Sequence, residues 1–434
     1  MRTEGLQQPR DVSDTILTRE LSFEEIQELP PDGGYGWVCV ACCFTINAFT
    51  WGVLSSYGVY LAYYLQNNIF PDGTSFDFAL IGGLNFSMAM IVSPLATALT
   101  RRYGVHLPMA LGILCQTSGF ISASFARLIW QLYLSQGVLV GFGIGLTWIP
   151  SIAVLPQWFQ KRRSMANGIC SAGSGIGGLM FSFAVRAILS NVSLAWALRI
   201  CGLVSGFMNI LATFAIRSRN HIVQPRLHPF DVRLFRRYEV LLALAWGFVS
   251  MFGYVILLFS LSDFARSIGL GSGQAAAITA LLNLGTAIGR PVVGVMSDKF
   301  GRIETAGSVT FLCFVSVFAI WVPATSYGAT ICFAIINGGI LGVFWMTIAP
   351  VSAEVVGLKE LPSMLSLAWM MVVLPCTFSE VIALKLRRVN ASREFLYAQI
   401  FCGLAYLVAS FFAFELWRVH RKKTHARLLD RRGD

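Results

Sequence analysis

The sequence predicts an all-α membrane protein with twelve transmembrane helices in two pseudo-symmetric six-helix halves. Three observations carry this. The 434 residues are 56% hydrophobic and only 13% charged, against about 25% charged in soluble domains; a water-soluble core cannot absorb that much apolar surface, and a bilayer can. The apolar residues gather into runs, each near the ~20 residues that cross a bilayer. The second half of the chain also repeats features of the first at constant spacing. The net charge of +11 does not mark a nucleic-acid partner. The charges fall in short clusters between apolar runs, as Lys and Arg do in cytoplasmic loops, so the partner they imply is the lipid bilayer. The ten cysteines form no disulfide framework. Cys39, Cys42 and Cys43 lie inside the first apolar run with no second ligand pair at metal spacing, so no metal and no cofactor is expected.

Residues 1–31 are polar and mildly acidic and lack a basic segment followed by a short apolar one, so no cleavable signal peptide is expected. Ser22-Phe-Glu-Glu25 can cap a short helix, Pro30-Pro31 ends it, and the segment reads as a disordered cytosolic tail. The spans are predicted at 36–64, 77–99, 105–125, 128–152, 164–188, 194–216, 239–261, 273–296, 306–323, 329–352, 362–386 and 395–417. This gives one half over 32–216, a basic linker over 217–237, a second half over 238–417 and a basic tail over 418–434. The basic clusters at Arg101-Arg102, Lys161-Arg162-Arg163, the linker, Lys299 with Arg302, Lys359 and the tail all fall on one side, which puts both termini in the cytosol. Lys385, Arg387, Arg388 and Arg393 fall on the other side, against the rule. Two sequons, Asn191-Val-Ser193 and Asn390-Ala-Ser392, lie in outside loops. No sorting signal is evident, so the plasma membrane is the default address; a vacuolar or other internal membrane is the alternative.

Sliding the chain so that Pro94 meets Pro291 brings Gly104 onto Gly301, Gly141, Gly145 and Trp148 onto Gly338, Gly342 and Trp345, and Tyr57 onto Tyr254. Two halves related by an axis along the membrane normal, with a binding site between them near the midplane, is a transporter architecture. The halves differ at Arg290, which meets Ser93, and at Asp298, which meets Arg101. Arg290 interrupts an apolar run about eight residues before the charged turn that ends it, roughly 12 Å inside the edge at ~1.5 Å per residue. An arginine there costs about 2.5–3.5 kcal/mol on insertion scales and normally faces a water-filled cavity or a partner. It reads either as an anion-binding guanidinium or as a snorkelling, structurally paired one.

The turn Gly294-Val-Met-Ser-Asp298-Lys299-Phe300-Gly301-Arg302 has a gating character. Gly294 lets helices approach closely, Gly301 permits a tight reversal, and Asp298 can cap a helix N-terminus on the other half. The repeat geometry puts Asp298 near the start of the fifth helix and the basic cluster Lys161, Arg162 and Arg163, which reads as topology and gate residues. The first-half copy, ending Arg101-Arg102-Tyr103-Gly104, lacks both the first Gly and the Asp.

The GxxxD(R/K)xGR turn matches the signature of the major facilitator superfamily. Two further stretches narrow the resemblance: Asp32-Gly33-Gly34-Tyr35-Gly36-Trp37, opening the first helix, and Trp158-Phe159 through Ala166-Asn167-Gly168 to Gly173-Ser174-Gly175, entering the fifth. With these the chain resembles the monocarboxylate transporter family, most closely its fungal-type members, over residues 32 to about 417. The resemblance implies a secondary carrier of a small organic anion, with Arg290 at the position of the family's helix 8 arginine. It also implies an Asp four residues earlier, where this chain has Thr286, and a Lys late in helix 1, where it has Ser55. Two of three charged residues of the family's proton-coupled machinery are therefore replaced. Some fungal relatives carry other substrates by facilitated diffusion, riboflavin among them.

Glu380, well inside an apolar run, is the candidate proton site; it can pair with Arg290 across the cavity or with Lys385 nearby. No His lies in a span. Asn47 and Asn283 are buried amides that need partners. Trp148 and Trp345 are core or cavity wall. Gly173 to Gly178 formally satisfies GxGxxG, but within a membrane helix it reads as close helix packing. No catalytic motif such as HExxH is present, so no enzyme is expected. The reading is thus a carrier in which Arg290 holds an anionic group while Asn47, Tyr57, Asn283, Trp345 and Glu380 shape the cavity or couple it to protons. A carrier of a larger planar metabolite and a non-transporting sensor on the same scaffold are the alternatives.

Overall fold

The computed structural model describes residues 30–223, 231–388, 391 and 393–430; the acidic segment over 1–29 and the Asn390 sequon lie outside them. The described residues form helices and no strand. Twelve long helices follow in order: α1 Gly36–Tyr64, α2 Phe76–Tyr103, α3 His106–Ala123, α4 Ile129–Trp158, α5 Arg163–Asn191, α6 Leu194–Ala215, α7 Tyr238–Ser267, α8 Gly273–Phe300, α9 Arg302–Trp321, α10 327–356, α11 358–386 and α12 Leu396–Lys423. The boundary between α10 and α11 is Gly357, whose φ of 79° and ψ of 171° break the helix. Only a residue without Cβ adopts that conformation readily.

Each predicted run becomes one of these helices. The clearest departure is at the chain's end, where helix continues to Asp430 through the stretch read as a tail. Arg, Lys, Ala and Leu are strong helix formers, and charge does not end a helix. Lys423 Nζ also lies 2.7 Å from Glu239 Oε2 at the start of α7. In the basic cluster that runs against the charge rule, two arginines find local partners. Arg387 binds Glu394 at 2.7 Å and lies over the Phe395 ring, and Arg388 lies over Tyr397 at 4.3 Å.

Glycines set how closely the helices meet. The GxGxxG stretch packs α5 against two neighbours, as close helix packing requires. Gly173 and Gly177 sit under the Phe44 and Ala48 carbonyls of α1. Gly168 and Gly175 face α8, where a Cβ at 175 would lie 2.7 Å from the Asn283 carbonyl oxygen and 2.9 Å from the Ala287 nitrogen. This α5–α8 seam joins the first six helices to the second six. The opposite seam joins α2 to α11 through Ser87 and Thr377 hydroxyls 2.5 Å apart and a Ser93 Oγ bond to the Ser366 carbonyl at 3.1 Å.

Gly175→Leu therefore overpacks the α5–α8 seam. It is expected to destabilise the closed molecule by about 1–3 kcal/mol, read as a lower melting temperature of the detergent-solubilised protein. An unchanged melting temperature would contradict this packing.

Candidate substrate site and gate

Arg290 points from α8 into the seam and is 6% exposed. Its Nη1 donates to the Ser171 carbonyl and to Ser174 Oγ on α5, both at 2.8 Å. The guanidinium lies against Gly342 of α10, where a Cβ would be 2.7 Å from Nε. Tyr254 of α7 interacts with it from the second half. Its Nε has no partner, and no Asp or Glu among the described residues forms an ion pair with it. A full positive charge is thus held by neutral dipoles alone. Such a group is expensive to bury and gains from an incoming anion.

Beside Arg290, six aromatic rings converge from both halves. Trp51 of α1 and Trp148 of α4 meet at 5.3 Å, and Trp345 of α10 and Trp369 of α11 stack at 5.6 Å with planes 9° apart. The two pairs touch across the midline, Trp51 to Trp345 at 5.7 Å and Trp148 to Trp369 at 4.8 Å. Phe86 of α2 and Tyr254 close the box against Trp345 at 5.7 and 6.0 Å.

The residues singled out from sequence divide accordingly. Trp345 is in the box. Asn47 borders it, accepting the Trp148 indole N–H at 3.1 Å while donating to the Cys43 carbonyl at 2.9 Å. Asn283 lies two helical turns before Arg290, with its amide nitrogen against Gly178. Tyr57 is committed elsewhere: its hydroxyl donates to the Phe78 carbonyl at 2.7 Å, which fixes α1 to α2. Its repeat mate Tyr254 is the tyrosine at Arg290. Glu380 pairs with neither Arg290 nor Lys385. It faces α7, accepting from Ser260 Oγ at 3.4 Å, with Asp263 nearby. Thr286, where the resemblance implies an Asp, donates to the Gly338 carbonyl at 3.0 Å and so faces α10. Ser55, at the Lys position, donates to the Trp51 carbonyl at 2.8 Å. Trp51, Trp369, Ser171 and Ser174 were not legible as site residues: a lone Trp or Ser in an apolar run carries no signal of convergence.

The end of the molecule that carries the α8–α9 turn is closed by hydrogen bonds to backbone. Asp298 Oδ1 and Oδ2 accept the Ser164 and Met165 N–H groups at 2.9 and 2.8 Å, capping the positive end of α5 from the other half. Arg302 reaches the Gln160 carbonyl at 2.5 Å and lies 3.7 Å from Asp298 and 3.9 Å from Glu354. Gly294 sits under the Ser164 carbonyl, and Gly301, with φ of 104°, makes the turn. Arg163 is buried and donates to the Phe159 carbonyl at 3.0 Å. Lys161, Arg162 and Lys299 instead are exposed. Within the first half, the backbone N–H groups of Lys161 and Gln160 donate to Asp32 Oδ1 at 2.8 and 2.7 Å. The two signature stretches thereby meet. Gly36 leaves room for the Phe159 ring, which Trp37 contacts edge-on at 5.0 Å, while Gly33 and Gly34, the latter with φ of 58°, form the bend that aims Asp32.

Residues 40–380 match the family model described as Major Facilitator Superfamily. The chain belongs to the major facilitator superfamily. It is a secondary transporter, not an enzyme. It is 35% identical over 387 residues to the probable transporter MCH2 of Saccharomyces cerevisiae, covering 88% of this chain and 82% of the relative. It is 36% identical over 403 residues to the uncharacterized transporter ESBP6 of the same yeast, covering 88% of this chain and 59% of that longer protein. The aspyridones efflux protein apdF of Emericella nidulans is 29% identical, covering 74% of this chain and 66% of the relative. Among solved structures, the proton:xylose symporter XylE superposes with a TM-score of 0.69 at 12% identity, over 88% of this chain and 95% of that one, a likeness of fold.

In this facilitator Asp298→Ala removes both caps on α5. Losing an N-cap costs about 0.5–2 kcal/mol, so the Ser164 and Met165 amides are expected to exchange with deuterium roughly tenfold faster. Unchanged protection at those two amides would remove Asp298 from the closure.

Proposed function

We propose that this facilitator carries an organic anion, a carboxylate being the group that Arg290 holds, by alternating access of its two halves. The two halves span 32–216 and 238–417, joined by the basic 217–237 linker. The observation that carries the reading is that no acidic residue among the described ones pairs with the buried Arg290 at the seam between them. A structural arginine in lipid is normally paired; this one is held by neutral partners, Ser171, Ser174 and Tyr254. Asn283 and Trp345 shape the site and Asn47 orients its wall. Asp298, Arg302, Gly294 and Gly301 gate it from the cytosol. The similarity to MCH2 and the placement of the Asp32–Trp37 and Trp158–Gly173 stretches support a carrier of the monocarboxylate type.

Proton coupling, where it occurs, is assigned to Glu380, whose only close polar contacts among the described residues are Ser260 and the neighbouring Asp263. The aromatic box favours a second reading, facilitated passage of a larger planar metabolite. The relative named for efflux of aspyridones favours the outward direction. Both termini are assigned to the cytosol and the protein to the plasma membrane, on the distribution of basic residues.

The test is uptake by proteoliposomes of radiolabelled pyruvate, acetate and riboflavin, with and without a pH gradient. Arg290→Gln keeps a polar side chain and removes the charge. Truncating one partner of a buried charge pair costs about 2–5 kcal/mol, so carboxylate uptake is expected to fall at least about 30-fold. Gradient-driven accumulation that vanishes in Glu380→Gln while exchange persists would assign the proton. Riboflavin uptake indifferent to Arg290→Gln, without carboxylate uptake, would overturn the anion reading.

A further inference from the structure

The hydrogen-bond state of the aromatic box is lopsided. Trp51, Trp345 and Trp369 are buried at 8%, 6% and 0% exposure, and none of their indole N–H groups has an acceptor. Buried polar groups are ordinarily paired, and two other tryptophans in this protein follow that rule: Trp148 donates to Asn47 Oδ1 and Trp246 to Thr310 Oγ1 at 3.0 Å. Trp321 is the one other buried indole without an acceptor among the described residues, and it stacks on Phe333 within the second half, away from the midline. The three in the box come from three helices, α1, α10 and α11, and belong to both halves. With Arg290 Nε they make four unmatched polar atoms, all donors.

The ring geometry gives the rest. The midline contacts are ring against ring, Trp51 and Trp148 on one side and Trp345 and Trp369 on the other. Rocking the halves apart must break them. A flat π-system entering the gap would replace each lost ring contact with another, since stacked and edge-on aromatic arrangements are favourable. A short aliphatic acid would not. The unmatched donors then require acceptors on that flat body in addition to the group held by Arg290.

We propose that the box is a specificity subsite for a planar, conjugated organic anion bearing carbonyl-type acceptors remote from its acidic group, with Trp51, Trp345 and Trp369 as the donors that select it. This rests on the anion reading above and names the substrate class of that site. The acid end lies at Arg290, the flat body lies between the two tryptophan pairs, and the remote acceptors meet the indole N–H groups.

Acetate, benzoate and 4-acetylbenzoate test the three parts separately: acid alone, acid with ring, and acid with ring and remote carbonyl. Their affinities for the purified protein are to be measured by calorimetry and by quenching of tryptophan fluorescence. The expected order is acetate weakest, benzoate at least tenfold tighter, and 4-acetylbenzoate a further fivefold or more. Trp369→Phe and Trp51→Phe keep the ring and remove the N–H, so the ratio of 4-acetylbenzoate to benzoate affinity should fall towards one in at least one of them. Thermal stabilisation of the wild type by the three acids should follow the same order, a readout independent of any variant. Acetate binding as tightly as benzoate, with both lost in Arg290→Gln, would overturn the planar subsite and leave the anion reading standing. Benzoate binding that survives Arg290→Gln unchanged would overturn the anion reading instead. A ratio unaffected by either Trp→Phe change would overturn the role of the indole donors.

Discussion

The seam between α5 and α8 depends on one uncompensated charge. Arg290 reaches across it to a carbonyl and a hydroxyl of α5, and its own carbonyl presses on Gly168, where a Cβ would come within 2.5 Å. On the other side the guanidinium needs Gly342 to be a glycine. The charge is therefore held in place by bonds to the first half and by space made in the second. A ligand that competes for the guanidinium pulls on the same bonds that keep α5 and α8 together. Binding then biases the closed arrangement against the open one by whatever differential affinity the ligand has for the two, which is all that a population shift can draw on.

The two seams between the halves are unlike in their chemistry. The α5–α8 seam carries Arg290, and at the end where α5 begins Asp298 caps α5 while Arg302 links Gln160 and Glu354. The α2–α11 seam is closed by hydroxyls and a carbonyl, Ser87 with Thr377 and Ser93 with Ser366. The difference is written in the repeat: Ser93 stands where the second half has Arg290, and Arg101 where it has Asp298. Charge-assisted bonds are roughly twice as strong as neutral ones, so the closure is weighted to the α5–α8 side. Asp32 adds a third point of control. It holds the α4–α5 loop from within the first half, so the carbonyl that Arg302 grips stays fixed to its own half when the halves separate.

The helices were legible because lipid imposes one solution on an apolar run, which must satisfy its own backbone. Arg290 was legible for the converse reason, as a charge where charge is costly. Symmetry was a poorer guide to the site. It drew attention to Tyr57, yet only its mate Tyr254 meets Arg290, because Tyr57 spends its hydroxyl on Phe78. Trp148 and Trp345 could be picked out by their repeat positions. Trp51 and Trp369 have no such mark, and nothing in one run states that α1, α4, α10 and α11 bring four indoles to one point. Glu380 carried the right signal, an acid in an apolar span, but its direction is a matter of helix rotation: it faces Ser260 on α7.

Thr286 and Ser55, which stand where the resemblance to monocarboxylate carriers implies charged residues, have a consistent physical reading. An acid at position 286 would sit one turn before Arg290 on α8 and compensate it in the empty protein; Thr286 instead bonds the Gly338 carbonyl and leaves the guanidinium positive. A carrier whose arginine is already paired must neutralise or displace that acid before an anion can bind, which ties uptake to a proton. A carrier whose arginine is unpaired has no such requirement at this point, since the substrate's own charge completes the pair. On the anion reading, Arg290 alone does not oblige this facilitator to move a proton. Any coupling then has to come from Glu380 and Asp263 at the α7–α11 contact, through the movement of those helices rather than through direct exchange of charge with the substrate.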